Sequence, residues 1–166
     1  MKVGLFIGRF QPLHYGHLRM IKDIAAKVDH LIIGLGSPDA KPSCKNPFTA
    51  HERKEMIARA AREIGLKKYE VREIPDTGKD VDWIASLKKA VPSFTMAWSG
   101  SEWVLRVFAA HGLPVTRIKE FPGLSGTNIR RRIIQGQPWL TFIPLSLRAY
   151  LKKIGAVKRI RALCKP

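Results

Sequence analysis

Apolar runs of strand length alternate along this chain with segments whose apolar residues recur every three or four positions. That alternation confines the chain to a parallel sheet wrapped by helices. Met1 to Ile7 reads as a strand, and Leu18, Ile21, Ile24, Ala25 and Val28 then form one helical face. His30 to Gly36, His-Leu-Ile-Ile-Gly-Leu-Gly, is too uniformly apolar for a half-exposed strand and suits the interior of a sheet. Further strands are predicted at 69–74, 95–98 and 115–118, and helices at 81–91, 102–111 and 129–135. Thr49-Ala50-His51-Glu52 has the capping-box spacing and introduces a helix with Met56, Ile57, Ala60, Ala61 and Ile64 on its apolar side. The expected fold is α/β: a Rossmann-like open parallel sheet of about five strands flanked by helices, with a small C-terminal helical extension.

A length of 166 residues suits a single domain, read as an α/β core over 1–136 and a basic helical extension over 137–166, with a break at Gly155. Lys and Arg number 30 against 13 Asp and Glu, a formal charge of +17. After Glu120 there is no acidic residue, while Arg130, Arg131, Arg132, Arg148, Lys152, Lys153, Lys158, Arg159, Arg161 and Lys165 all follow it. Such a field attracts polyanions, whether nucleic acid, acidic surfaces or a polyphosphate substrate, and a solvated basic face accounts for most of it equally well. No segment approaches the roughly 20 apolar residues that span a bilayer, and the first residues lack a signal-peptide pattern. The expectation is a cytoplasmic protein with no membrane partner. Cys44 and Cys164 match no paired metal-ligand spacing and read as isolated thiols.

In open sheets of this kind ligands bind beyond the carboxyl ends of the strands. The first such loop is Gly8-Arg9-Phe10-Gln11-Pro12-Leu13-His14-Tyr15-Gly16-His17, with two histidines three positions apart where a helix begins. Helix N-termini present unpaired N–H groups and partial positive charge, so this is a natural place for a phosphate. Two other phosphate-binding patterns fail on spacing. Gly34-x-Gly36 lacks the third glycine of the dinucleotide fingerprint, and Thr77-Gly78-Lys79 lacks both the upstream glycine and the following Ser or Thr of a P-loop.

The histidine loop taken with Ser125-Gly126-Thr127-Asn128-Ile129-Arg130-Arg131 resembles the nucleotidyltransferase superfamily. Together with Asn46-Pro47-Phe48-Thr49-Ala50-His51-Glu52-Arg53 it is similar to the archaeal-type nicotinamide-nucleotide adenylyltransferases. The resemblance implies adenylyl transfer from ATP to nicotinamide mononucleotide (NMN), giving NAD+ and pyrophosphate by direct in-line attack. It implies an ATP site of Gly8, Phe10, His14, His17, Ser125, Thr127, Asn128, Arg130 and Arg131. His14, His17, Arg9 and Arg130 would act at the reacting phosphates. The histidines, one or both protonated by the phosphates they touch, would donate to them. Arg9, Lys45, Trp83 and Arg53 would face the acceptor, with Trp83 stacking on a flat ring. Mg2+ would arrive on the ATP phosphates, with no protein-bound metal, and a homo-oligomer, often a hexamer in the resembled family, is implied.

Departures from the family's pattern fall in the acceptor half. Leu124 precedes the Ser-Gly-Thr motif, Ser101 follows Ser99-Gly100, and Lys45 stands where Arg is common. A nucleotidyltransferase with another acceptor, such as a phosphopantetheine, flavin or alcohol phosphate, is the near alternative. A basic nucleic-acid-binding module using the tail after Pro144 is the distant one. His30, His51 and His111 are read as structural or exposed, and Arg132 as a solvated member of its helix.

Overall fold

The computed structural model describes residues 1–164, so Lys165 lies outside the described residues. The chain divides into two compact units interleaved in sequence. One comprises Met1–Arg9, Met20–Asp39 and Leu66–Glu120; the other comprises Phe10–Arg19, Ala40–Gly65 and the chain from Phe121 onward.

The first unit holds the whole sheet. β1 (Val3–Gly8) lies between β2 (His30–Gly36) and β4 (Met96–Ser99), with β3 (Tyr69–Ile74) outside β2 and β5 (Val115–Arg117) outside β4. Every pairing is parallel, with Leu5 opposite Ile32 on one side and Ala97 on the other. Gly4–Ile7 and Leu31–Leu35 are buried at consecutive positions, so β1 and β2 are covered on both faces. The edge strand β3 is more exposed and accordingly alternates charged residues with apolar ones. The architecture is the Rossmann-like α/β arrangement read from the sequence.

Two helices of this unit, α3 (Asp80–Ala90) and α4 (Glu102–Ala110), pack Ile84, Leu87, Val104, Val107 and Phe108 against Leu5, Ile7, Ile32, Ile74 and Ala97 of the strands. Trp83 belongs to this core. It is 2% exposed, its ring set edge-on to Trp103 at 4.6 Å and near Phe108 at 6.1 Å. The stacking face expected of Trp83 is therefore taken by protein, because Trp83 shares the buried stripe of α3 with Ile84 and Leu87.

The strand order reverses direction between β1 and β4, which makes the carboxyl ends of those two strands the switch point of the sheet. Ser99 Oγ donates to the Ile7 carbonyl and accepts from the Ser101 N–H, tying the ends of the two strands together.

The second unit is helical: the start of α1 (Tyr15–Ala25), α2 (Ala50–Glu63), α5 (Gly126–Ile134), α6 (Leu145–Lys153) and α7 (Ala156–Leu163). α6 packs on α2 and α7 on α5. Gly155, between α6 and α7, has φ +67°, a left-handed conformation that glycine adopts without cost. The reading of Cys44 and Cys164 as isolated thiols is corrected: they form a disulfide, their Cα atoms 4.7 Å apart. Spacing rules are blind to such a pair, since partners far apart in the chain leave no local pattern.

α5 also begins three residues before the predicted Ile129. The Ser125 hydroxyl accepts from the Asn128 N–H and so caps the helix early, which puts Thr127 and Asn128 in its first turn.

Candidate active site

His14 stands immediately before α1, and His17 is the third residue of that helix. Each imidazole closes the backbone of the other: the His17 N–H donates to His14 Nδ1 at 3.4 Å, and the His14 N–H donates to His17 Nδ1 at 3.3 Å. This is the reciprocal pattern of a capping box, with rings in place of a hydroxyl and a carboxylate. It consumes both Nδ1 lone pairs. In the neutral tautomer each ring then carries its hydrogen on Nε2.

The two rings stack at 3.8 Å and 28°, and Phe10 lies 4.7 Å from His17. A Cβ on Gly16 would sit 3.0 Å from the His14 ring, so glycine is what lets that ring lie over the first turn of α1. Phe10 holds φ +54°, a left-handed conformation costing a non-glycine residue about 1–2 kcal/mol. Such strained residues concentrate at functional sites.

Burial pushes His14 down to about 4. Burial first, and the neighbouring His14 second, hold His17 well below the usual histidine value. The unliganded pair is therefore neutral at pH 7. An anion reaching the rings opposes the burial effect and favours the imidazolium form.

The start of α5 belongs to the same unit. Arg130, 6% exposed, donates from Nη1 to the Gln11 carbonyl at 2.6 Å and from Nη2 to the Thr127 hydroxyl at 3.2 Å. A Cβ on Gly126 would stand 2.9 Å from that same Gln11 oxygen, so only glycine allows α5 to start against the histidine loop. Leu124, just ahead of α5, likewise approaches Gly16 at the start of α1. Two helix N-termini, each with a partial positive charge, thus converge with imidazole, hydroxyl and guanidinium donors beside them.

Ser125, Thr127 and Asn128 occupy the cap and first turn of α5; Asn128 bonds the Gly123 carbonyl and accepts from Arg131 Nη2 at 2.7 Å. Arg131 is exposed. Arg132 is not simply solvated: its guanidinium lies over the Phe142 ring and donates to the Pro138 carbonyl.

The remaining candidates are dispersed. Lys45 is exposed in the loop between Cys44 and Phe48. Arg53 is 1% exposed, with Nε donating to the Thr49 carbonyl. Gly8 and Arg9 close the first segment of the sheet unit, Arg9 exposed. His51 is exposed, His30 lies 3.9 Å from Glu70, and His111 Nδ1 lies 2.9 Å from the Val107 carbonyl.

Sequence reasoning singles out Gln11 as a family feature but reveals neither its partner nor that of Arg159. Gln11 is buried, with both ends of its amide engaged, and Arg159 binds Glu52 with N–O distances of 2.7 and 2.6 Å. Gln11 sits inside the histidine motif, but nothing in the sequence reveals its partner, a main-chain segment 37 residues away.

The sheet is that of a Rossmann-like α/β protein, and within the helical unit imidazoles and arginines gather at two helix N-termini, where backbone N–H groups suit an anion. The chain belongs to the cytidylyltransferase-like family, whose model matches residues 5–132. It is 42% identical to the nicotinamide-nucleotide adenylyltransferase of Pyrococcus furiosus, over 98% of this chain and 89% of that one. It is 38% identical to that of Archaeoglobus fulgidus, over 95% of each. Among solved structures it resembles a bifunctional NMN adenylyltransferase/ADP ribose pyrophosphatase from Francisella tularensis, with TM-score 0.82 at 22% identity, over 98% of this chain and 52% of that chain. A second structure of such a protein from the same organism, complexed with AMP and a manganese ion, matches with TM-score 0.78 at 21% identity. The chain spans about half the length of those bifunctional chains.

Proposed function

We propose that this protein transfers the adenylyl group of ATP to nicotinamide mononucleotide. A phosphate oxygen of the mononucleotide attacks the α-phosphorus, the bond to the bridging oxygen breaks, and pyrophosphate leaves with NAD+ as the other product. Relatives carrying this activity in their names match almost the whole chain. No covalent intermediate is needed, so the protein's work is alignment and fixed positive charge.

The observation that best supports assigning the chemistry to the histidine loop is the Arg130 bridge, which joins the start of α5 to Gln11 and sets Thr127 beside it. His14 and His17 donate from Nε2 to the α- and β-phosphate region. Arg130, Arg131, Ser125, Thr127, Asn128 and the N–H groups of α5 hold the outer phosphates, with Gly8 and Phe10 shaping the loop. Lys45 takes the acceptor phosphate, and Arg9 is assigned a substrate phosphate by the family resemblance alone. Arg53 acts through the start of α2, and Trp83 through the packing of α3, rather than by touching the ligand.

Mg2+ belongs to the ATP, whose phosphates supply its ligands and water the rest of its shell; the donors gathered here are suited to an anion. The chain works as one nucleotidyltransferase domain, in keeping with a family match that spans segments of both compact units. Its setting is the cytoplasm, as a homo-oligomer.

NAD formation from ATP, Mg2+ and the mononucleotide, followed through a coupled dehydrogenase, tests this reading. His17→Ala should lower kcat/KM by about 10²-fold or more, the scale of losing a donor to the transition state. Folded wild-type protein that forms no NAD would overturn the acceptor assignment, and pyrophosphate release with other phosphate monoesters would identify its replacement.

A further inference from the structure

We propose that Gln11 is a positioning residue for the acceptor nucleotide, holding the loop that carries Lys45 in register with the histidine loop. The proposal rests on the adenylyltransferase reading above and on Lys45 as an acceptor contact.

Gln11 is 4% exposed, and its amide spends both functions on one residue of another segment. Nε2 donates to the Phe48 carbonyl at 2.9 Å, and Oε1 accepts from the Phe48 N–H at 2.9 Å. The pairing imitates one rung of a sheet ladder between a side chain and a main chain, and it fixes both the position and the rotation of the Phe48 peptide units. The main-chain carbonyl of the same residue accepts from Arg130. Gln11 therefore touches the 44–48 loop through its side chain and the α5 phosphate cluster through its backbone. The two attachments can be separated by substitution, since a change of side chain leaves the carbonyl in place.

The 44–48 loop is held at other points as well. Cys44 is bonded to Cys164, and Arg159 Nη1 donates to the Pro47 carbonyl. Between these anchors Lys45 is exposed, while the Asn46 Oδ1 is buried without a hydrogen-bond partner. A buried carbonyl oxygen left unpaired is destabilising, and a donor on a bound ligand removes that penalty. Residues that clamp the loop, an exposed cation and an unfilled acceptor between them, describe a segment preorganised for a phosphate-bearing ligand that also carries hydrogen-bond donors. Glutamine is the fitting residue for the clamp. Asparagine is one methylene short, and glutamate sets a second oxygen against the Phe48 carbonyl.

Steady-state kinetics of Gln11→Met and Gln11→Glu test this, with each substrate varied in turn. Methionine keeps length and burial and removes both hydrogen bonds; glutamate keeps the acceptor for the Phe48 N–H and loses the donor. Gln11→Met should raise KM for the mononucleotide about tenfold, the size expected for a buried pairing lost. KM for ATP should change less than about twofold, because the Arg130 bond is to the backbone. Amide exchange at Phe48 should accelerate in the same variant. Lys45→Ala is measured in parallel: if it leaves the mononucleotide KM unchanged, the underlying acceptor-loop reading fails. If Lys45→Ala raises that KM and Gln11→Met does not, or raises both substrates' KM alike, the role given to Gln11 is overturned. Should Gln11→Met not fold, Gln11→Glu decides the matter on the same criterion.

Discussion

His14 and His17 each accept the backbone N–H of the other on Nδ1. That arrangement has a measurable cost in acid. His14 titrates near 4 in the folded protein, against about 6.5 in the unfolded chain. Between those values the unfolded chain binds more protons, so stability rises with pH across the window. Lowering the pH from about 6.5 to about 4 should remove about 3 kcal/mol from this residue alone, and His17 acts in the same direction. Urea unfolding midpoints should fall steeply over that range in the free protein and less steeply with ATP bound, since the phosphates favour the protonated rings. A flat profile from pH 7 to 4.5 would contradict the buried, neutral pair.

At the scale of elements, the capping box predicted at Thr49 and Glu52 is present in both halves. The Glu52 N–H donates to Thr49 Oγ1, and the Thr49 N–H donates to Glu52 Oε2. The sequence did not reveal that the same carboxylate binds Arg159 of α7. Burial pushes Glu52 up, but the hydrogen bonds from Arg159 and Thr49 outweigh it and leave the carboxyl below its usual value. Glu52→Gln should keep the cap and lose the charge of the pair, whereas Glu52→Ala should lose both and cost about 1–2 kcal/mol more, as read by chemical denaturation.

The contrast marks what was legible beforehand. Strands β2 and β3, the alternation of the sheet, the Thr49 cap and the break at Gly155 depend on residues near one another in sequence, and the reading agrees with the structure at each. Arg159, Gln11 and Cys44 take partners 107, 37 and 120 residues away, and no local pattern encodes such meetings. Trp83 misled for a related reason. Its position at the start of α3 suits a ligand contact, and only packing against Trp103 and Phe108 reveals that its faces are already occupied.

For the molecule as a whole, a +17 charge favours polyanions in general, and under the proposed function the donors at α1 and α5 would give that attraction a place to act. The Cys44–Cys164 bridge closes a loop of 120 residues. On chain-entropy grounds a loop of that size stabilises the fold by about 4–5 kcal/mol. Cys164→Ser, or reduction of the wild type, should therefore lower Tm by many degrees. It should also weaken mononucleotide binding more than ATP binding, because Cys44 anchors the loop of Lys45. If Tm does not move on reduction, the bridge is not closed in solution.

The bridge has one more consequence, topological rather than energetic. Everything from Cys44 to Cys164 is a covalent ring, with the histidine loop on the free arm leading into it. A single cleavage within that ring, as in the loop after β3, severs the main chain without parting the molecule. The histidines of the arm and the arginines of α5 stay tethered through sulfur until a reductant releases them.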